Sequence, residues 1–254
     1  MKKVLLLMLT ASALLGACKK DKDDSNPANG CKIVKFTPSG GHDYVNSEYL
    51  ITYNSDGKIS TITNADETRR FSYESSKMLV SVDNLLITYN YNSPNQINSI
   101  ITNSQWPENV SVTYADNKVS KILTSVDDIS STFTYSSNEV VKILEKWGDT
   151  DTEEALITYK EEKYSNPLIF ELIFPSMIDG DIRNFIRYNL SNSFGASEKR
   201  LIDKIEYIGK GDRSYNTRTD TYSYLKDDKG NIIQIIITST SYTTRSFTLE
   251  YSCN

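Results

Sequence analysis

The 254-residue chain carries 28 Lys and Arg against 33 Asp and Glu, a formal charge of −5, with 38% hydrophobic and 24% charged residues. This composition supports a packed core and excludes a wholly disordered or collagen-like chain. Its 17 Tyr against 8 Phe and 2 Trp, with a single His, favour sheet surfaces over imidazole-based acid–base catalysis.

Residues 1–17 read as a signal peptide: Lys2 and Lys3 precede an apolar run from Val4 to Ala17 that is too short for a bilayer-spanning helix of about 20 residues. The run ends in Leu15-Gly16-Ala17-Cys18, which resembles the bacterial lipobox. The resemblance implies cleavage before Cys18 and lipidation of its thiol, hence a membrane partner through the N-terminal lipid. Several acyl chains together anchor durably where one binds only marginally. The alternative is an ordinary secretory signal with an incidental Cys. Cleavage also removes two lysines, so the mature protein is still more acidic, which argues against nucleic acid as a partner. Residues 18–30 follow as a polar tether, Lys19-Lys20-Asp21-Lys22-Asp23-Asp24 and onward, with no large apolar side chain to bury. Its lysine-then-acidic start resembles the surface-export signal of Bacteroidetes lipoproteins; a plain solvated linker is the other reading. The expected location is the outer membrane, on the cell surface or the periplasmic face.

Residues 31–254 read as one domain. Cys31 and Cys253 sit at its two ends, an even pair in an exported chain, and are expected to form a disulfide; two buried thiols are the alternative. Between them a unit recurs: an alternating run ending in Tyr, a short polar turn, and a run with Ile or Val at alternate places. Tyr53-Asn54-Ser55-Asp56-Gly57-Lys58-Ile59, Tyr91 to Ile97, Tyr114 to Val119, Tyr135 to Val140 and the longer Tyr224 to Ile232 carry it, with weaker copies at Tyr73 and Tyr159. Tyr251 begins a unit that the chain does not finish. Asp-Gly, Ser-Asn, Asp-Asn and Gly-Asn turns tolerate positive φ, and the flanking alternation gives each strand one apolar face. The unit is therefore a β-hairpin. Successive hairpins predict an all-β antiparallel meander forming one curved sheet, open or half-barrel, with one short capping helix.

The Tyr53 unit and its copies resemble the YD repeats of RHS proteins. Together with the lipobox they are most similar to Bacteroidetes lipoproteins with divergent YD-like repeats and no known biochemical activity. That family likeness extends to Asn166-Pro167-Leu168-Ile169-Phe170, an apolar interruption before the last hairpins. Across the non-repeat segment 165–200, Ile178, Ile182, Phe185, Ile186 and Leu190 recur at helical spacing, with Asp179 or Asp181 as cap, and predict the helix.

Reactive constellations are scarce. His42 has no partner pattern for a triad, and His/Cys clusters at zinc spacing are missing. Asp149, Asp151 and Glu153 alternate in a way calcium accepts, but without the Gly and terminal Glu of an EF-hand loop. No catalytic residue and no cofactor is assigned. Trp106 and Trp147 both follow second strands of units, on one edge of the sheet and roughly 19 Å apart, a span suited to an extended glycan or peptide. The expected function is a non-catalytic binding or scaffold module at the envelope, partnering a glycan or envelope protein. A glycan-binding accessory protein using Trp106 and Trp147 and an exported carboxylate-dependent glycoside hydrolase are the alternatives. A membrane pore is disfavoured because the strands carry Ser, Thr, Asn and Lys where lipid demands apolar side chains.

Overall fold

In the computed structural model, residues 31–40, 47–93, 96–103, 109–125, 129–164, 166–173 and 200–253 are described. Sixteen antiparallel strands close into one barrel. They are β1 (Lys32–Ser39), β2 (Tyr49–Tyr53), β3 (Ile59–Thr63), β4 (Thr68–Tyr73), β5 (Lys77–Val82) and β6 (Leu85–Ser93). Next come β7 (Gln96–Thr102), β8 (Asn109–Ala115), β9 (Lys118–Thr124), β10 (Ser130–Ser136) and β11 (Glu139–Trp147). The circuit ends with β12 (Asp151–Lys163), β13 (Arg200–Lys210), β14 (Arg218–Lys226), β15 (Ile232–Ser239) and β16 (Arg245–Ser252). Each strand pairs with its chain neighbour, and β16 returns to β1. The meander is as expected, whereas the open or half-barrel edge is not: β1 and β16 pair from Lys32–Ser252 to Ser39–Ser246 and leave no edge.

Closure comes from completing the unit that Tyr251 begins. Tyr114-Ala115-Asp116-Asn117-Lys118-Val119 turns with Ala115 opposite Lys118, and Asp116 and Asn117 hold φ of 51° and 61°. Tyr251-Ser252-Cys253 and Cys31-Lys32-Ile33 reproduce that register, Ser252 opposite Lys32 and Tyr251 opposite Ile33. Cys253 and Cys31 thus stand where the two turn residues stand, and a disulfide joins them across 222 residues of chain. The bond is the turn of the eighth hairpin.

The repeat itself has a structural purpose. In most units the strand after the turn bulges: Thr52 faces Thr61 and Tyr53 faces Ile59, so Ser60 is an extra residue. Equivalent shifts occur opposite Tyr91, Tyr114, Tyr135, Tyr159, Lys226 and Tyr251. A bulge interrupts the ladder and bends the strand, which curves the wall. The ladder to the next unit stops short at the same level, and a tyrosine replaces it. Tyr53 Oη donates to the Ile33 carbonyl (2.6 Å), Tyr73 to Ile59 (2.9 Å), Tyr114 to Ile97 (2.9 Å) and Tyr135 to Val119 (2.7 Å). Tyr159 donates to Val140 (2.8 Å), Tyr224 to Ile202 (2.8 Å) and Tyr251 to Ile232 (2.8 Å). Tyr91 is the informative exception. It follows the β4–β5 hairpin, which has no bulge, and there the ladder runs on through Lys77–Asn90 to a backbone bond from Tyr91 N to Ser76 O (2.8 Å). The Lys before the accepting residue covers the same ring in three units, Lys32 over Tyr53, Lys58 over Tyr73 and Lys118 over Tyr135, at 4.9–5.2 Å.

Inward faces are apolar. Ile33, Met78, Val80, Ile87, Ile97, Ile100, Val119, Ile143, Ile205 and Ile235, spread around the circuit, are fully buried. A round tube of sixteen strands would be roughly 24 Å across, whereas facing sheets pack about 10 Å apart, so a dry interior requires a flattened wall or an inserted segment. Helix α1 (Pro167–Ile173) supplies part of that filling, with Leu168, Ile169 and Ile173 in the core cluster. Asn166 caps it, its Oδ1 accepting from Leu168 N at 3.0 Å, and Pro167 opens the first turn, where a missing N–H costs nothing. The helix expected over Ile178–Leu190 lies outside the described residues.

Outward faces are polar. Asn109, Ser111 and Thr113 on β8, Thr132, Thr134 and Ser136 on β10, and Thr221 and Ser223 on β14 are exposed. Outward Leu and Ile are isolated: Leu123 lies between Ser111 and Ser130, and Ile101 between Thr88 and Asn109.

Candidate functional site

The two ends of the barrel differ. One is the tyrosine rim, where the hairpin turns, the disulfide and α1 gather. Burial raises the Tyr53 hydroxyl to about 12 and drives Tyr73, Tyr135, Tyr159, Tyr224 and Tyr251 higher still, so the rim hydroxyls remain protonated donors. At the opposite mouth, charged side chains replace apolar ones on the inward faces of β11, β12, β14 and β16. Glu145 follows Ile143 in phase, Glu153 precedes Ala155, Arg218 and Asp220 precede Tyr222, and Arg245 precedes Phe247. Asp220 is fully buried, Glu145 is 1% exposed and Glu153 is 7% exposed.

Four of these charges, Glu153, Arg218, Asp220 and Arg245, pair with one another. Arg245 Nη2 donates to Asp220 Oδ2 at 3.1 Å, and Arg218 Nε lies 3.6 Å from Asp220 Oδ1. Arg218 Nη1 is 3.9 Å from Glu153 Oε1, while Asn216 Nδ2 donates to Glu153 Oε2 at 2.8 Å. The Arg218 guanidinium stacks 3.6 Å above the Tyr207 ring, with the Tyr242 ring 5.2 Å away. Burial raises the Tyr207 and Tyr222 hydroxyl pKa values. Desolvated ion pairs of this kind add little net stability, yet losing one partner costs about 3–5 kcal/mol.

The 3₁₀ turn Gly211–Asn216 folds over this mouth. It can do so because Gly209 carries no Cβ, which would lie 1.8 Å from the Arg213 carbonyl oxygen. Asp151 Oδ1 accepts from Asp212 N at 3.0 Å, and Arg213 lies 4.1 Å over the Trp147 ring.

The chain resembles porin-like barrels in fold. A porin-like protein from Bacteroides uniformis ATCC 8492 is 16% identical, with a TM-score of 0.61, covering 87% of this chain and 98% of that one. A porin-like protein from Bacteroides vulgatus ATCC 8482 is 14% identical, with a TM-score of 0.66 and the same coverage. No protein-family model and no curated protein matches.

The residues singled out from the sequence fall in different places. Cys18, His42 and Trp106 lie outside the described residues. Cys31 and Cys253 are bonded at the tyrosine rim. Trp147 ends β11 at the opposite mouth, under Arg213. Asp149, Asp151 and Glu153 do not converge: Asp149 is exposed in the turn, Asp151 holds the 3₁₀ turn, and Glu153 points inward to Arg218. No group of three or more His, Cys, Asp or Glu among the described residues is placed to hold a metal. Missing from the sequence reading were Arg218, Asp220, Arg245 and Glu145. Their signal was phase, since each occupies the apolar register of its strand.

Proposed function

We propose that this chain is a lipid-anchored β-barrel of the outer envelope, bathed in water, acting as a non-catalytic binding or scaffold module. One observation carries the reading. The wall is apolar inside and polar outside, the reverse of a bilayer-spanning barrel, which needs an outward apolar band about 25 Å tall. Outward ion pairs such as Lys35 with Glu48 and Glu250 (2.7 and 2.9 Å) and Lys142 with Glu154 (3.0 Å) belong in water. Attachment to the membrane then falls to Cys18 and its tether. The kinship of the repeat to YD units belongs to this proposal, as the eight tyrosine-led hairpins are one device used around the whole wall. Non-catalysis is supported by the ion pairs of Asp220, which two arginines engage, rather than leaving it poised for proton transfer.

Fractionation tests the reading. The wild-type chain is expected in the membrane fraction with an acylated N-terminal Cys by mass spectrometry, and the Cys18→Ser chain in the soluble fraction. Retention of Cys18→Ser in membranes after alkaline extraction, or channel conductance in planar bilayers, would overturn it.

A further inference from the structure

We infer that the mouth opposite the disulfide is a saccharide-binding platform built on Tyr215 and Tyr242, recognising a neutral pyranose chain. This deepens the binding-module reading and uses residues other than Trp106. Among the described tyrosines only these two are exposed, at 66% and 48%, and both stand at this mouth. Each ring is hydrogen-bonded through its hydroxyl. Arg213 Nη1 donates to Tyr215 Oη at 3.3 Å, and Tyr242 Oη donates to Asn216 Oδ1 at 3.2 Å. Asn216 is in turn fixed to the buried Glu153, and Arg218 is held between Tyr207 and Tyr242. An exposed aromatic face costs free energy in water, and fixing two of them on a buried polar frame prepares a surface for a ligand with apolar faces.

The edge chemistry narrows the ligand. Hydroxyls of Ser214, Ser241 and the two tyrosines, with the Asn216 amide, offer short-range donors and acceptors of the kind that sugar hydroxyls use. Charge argues against an anionic ligand, because Arg218 and Arg245 are already paired with Glu153 and Asp220, and Arg213 has the acid Asp212 beside it in the chain. A phosphate or uronate would find no surplus of positive field here. The site also faces the right way: the tether enters at Cys31 on the tyrosine rim, and strands of about eight residues set the platform roughly 26 Å from it.

The test is affinity electrophoresis of the detergent-solubilised full chain in gels containing soluble starch, dextran, galactomannan, arabinoxylan or barley β-glucan. Retardation by at least one is expected, weakened about tenfold by Tyr215→Ala or Tyr242→Ala, weakened less by Tyr215→Phe, which keeps the ring and loses only the hydroxyl, and unaffected by the outer-wall variant Leu225→Ala or by 0.5 M salt. Retardation by none of the five overturns the inference, as does equal retardation of the alanine variants or its loss in salt. Because the readout is independent of membrane attachment, failure here leaves the anchoring proposal standing, and failure of the fractionation test leaves this one standing.

Discussion

At the scale of single residues, the tyrosines explain why the repeat is recognisable at all. Each position needs a ring that packs on the core and a hydroxyl that reaches the neighbouring unit's bulge, which Phe and Leu cannot both supply. In three units the Lys that ends the turn serves the next ring rather than its own. A hydroxyl bonded to an otherwise unpaired carbonyl contributes about 0.5–1.5 kcal/mol net. Tyr135→Phe and Tyr159→Phe are therefore each expected to lower unfolding stability by about 1 kcal/mol in urea titration. Tyr91→Phe, whose hydroxyl spans no interrupted ladder, is expected to be close to neutral. Equal losses at all three positions would mean that the rings, not the hydroxyls, carry the effect.

At the scale of elements, the barrel is a set of well-paired hairpins joined more sparingly to one another. β14 and β15 pair from Asp220 to Lys226, but β1 and β2 pair only at Lys35–Leu50 and Phe36–Tyr49, helped by the Phe36–Tyr49 ring stack at 4.6 Å. β1 therefore depends on β16 and on the disulfide. Replacing both Cys31 and Cys253 by Ser is expected to cost up to about 5 kcal/mol, the chain-entropy value for so long a loop. By hydrogen exchange, β1 should lose protection before the other strands; uniform loss would contradict its dependence on the bond. The hairpins were legible in the sequence because turn residues and two-residue alternation are local signals. Tyr251 was legible too, as the start of a unit. Its completion by Cys31-Lys32-Ile33 was not, because it depends on how far the other seven hairpins, six of them bulged, bend the wall. The mouth was hidden for another reason: Glu145, Glu153, Asp220 and Arg245 look like solvent-facing charges unless the strand phase is followed residue by residue.

At the scale of the molecule, the chain is a ring with a cut in it. Eight related hairpin units surround one core, and the covalent break falls at a turn rather than within a strand, with the disulfide standing in for that turn. Where two units share the same turn register, as the β8–β9 and β16–β1 hairpins do, the cut can be moved from one to the other. A permutant beginning at Asn117 and ending at Asp116, with Cys253 and Cys31 replaced by an Asn-Gly peptide turn and residues 1–30 omitted, places the break in the β8–β9 turn. Asn-Gly supplies the positive φ at both central positions that Asp116 and Asn117 adopt. Loop-closure entropy depends only weakly on where a long loop is opened, so moving the break exchanges one closure for another of similar cost. The permutant is expected to keep the β-sheet circular dichroism of the parent and a single cooperative unfolding transition. A permutant that unfolds in two steps would instead show that the β1–β16 hairpin is a distinct keystone, and that the barrel is assembled around it.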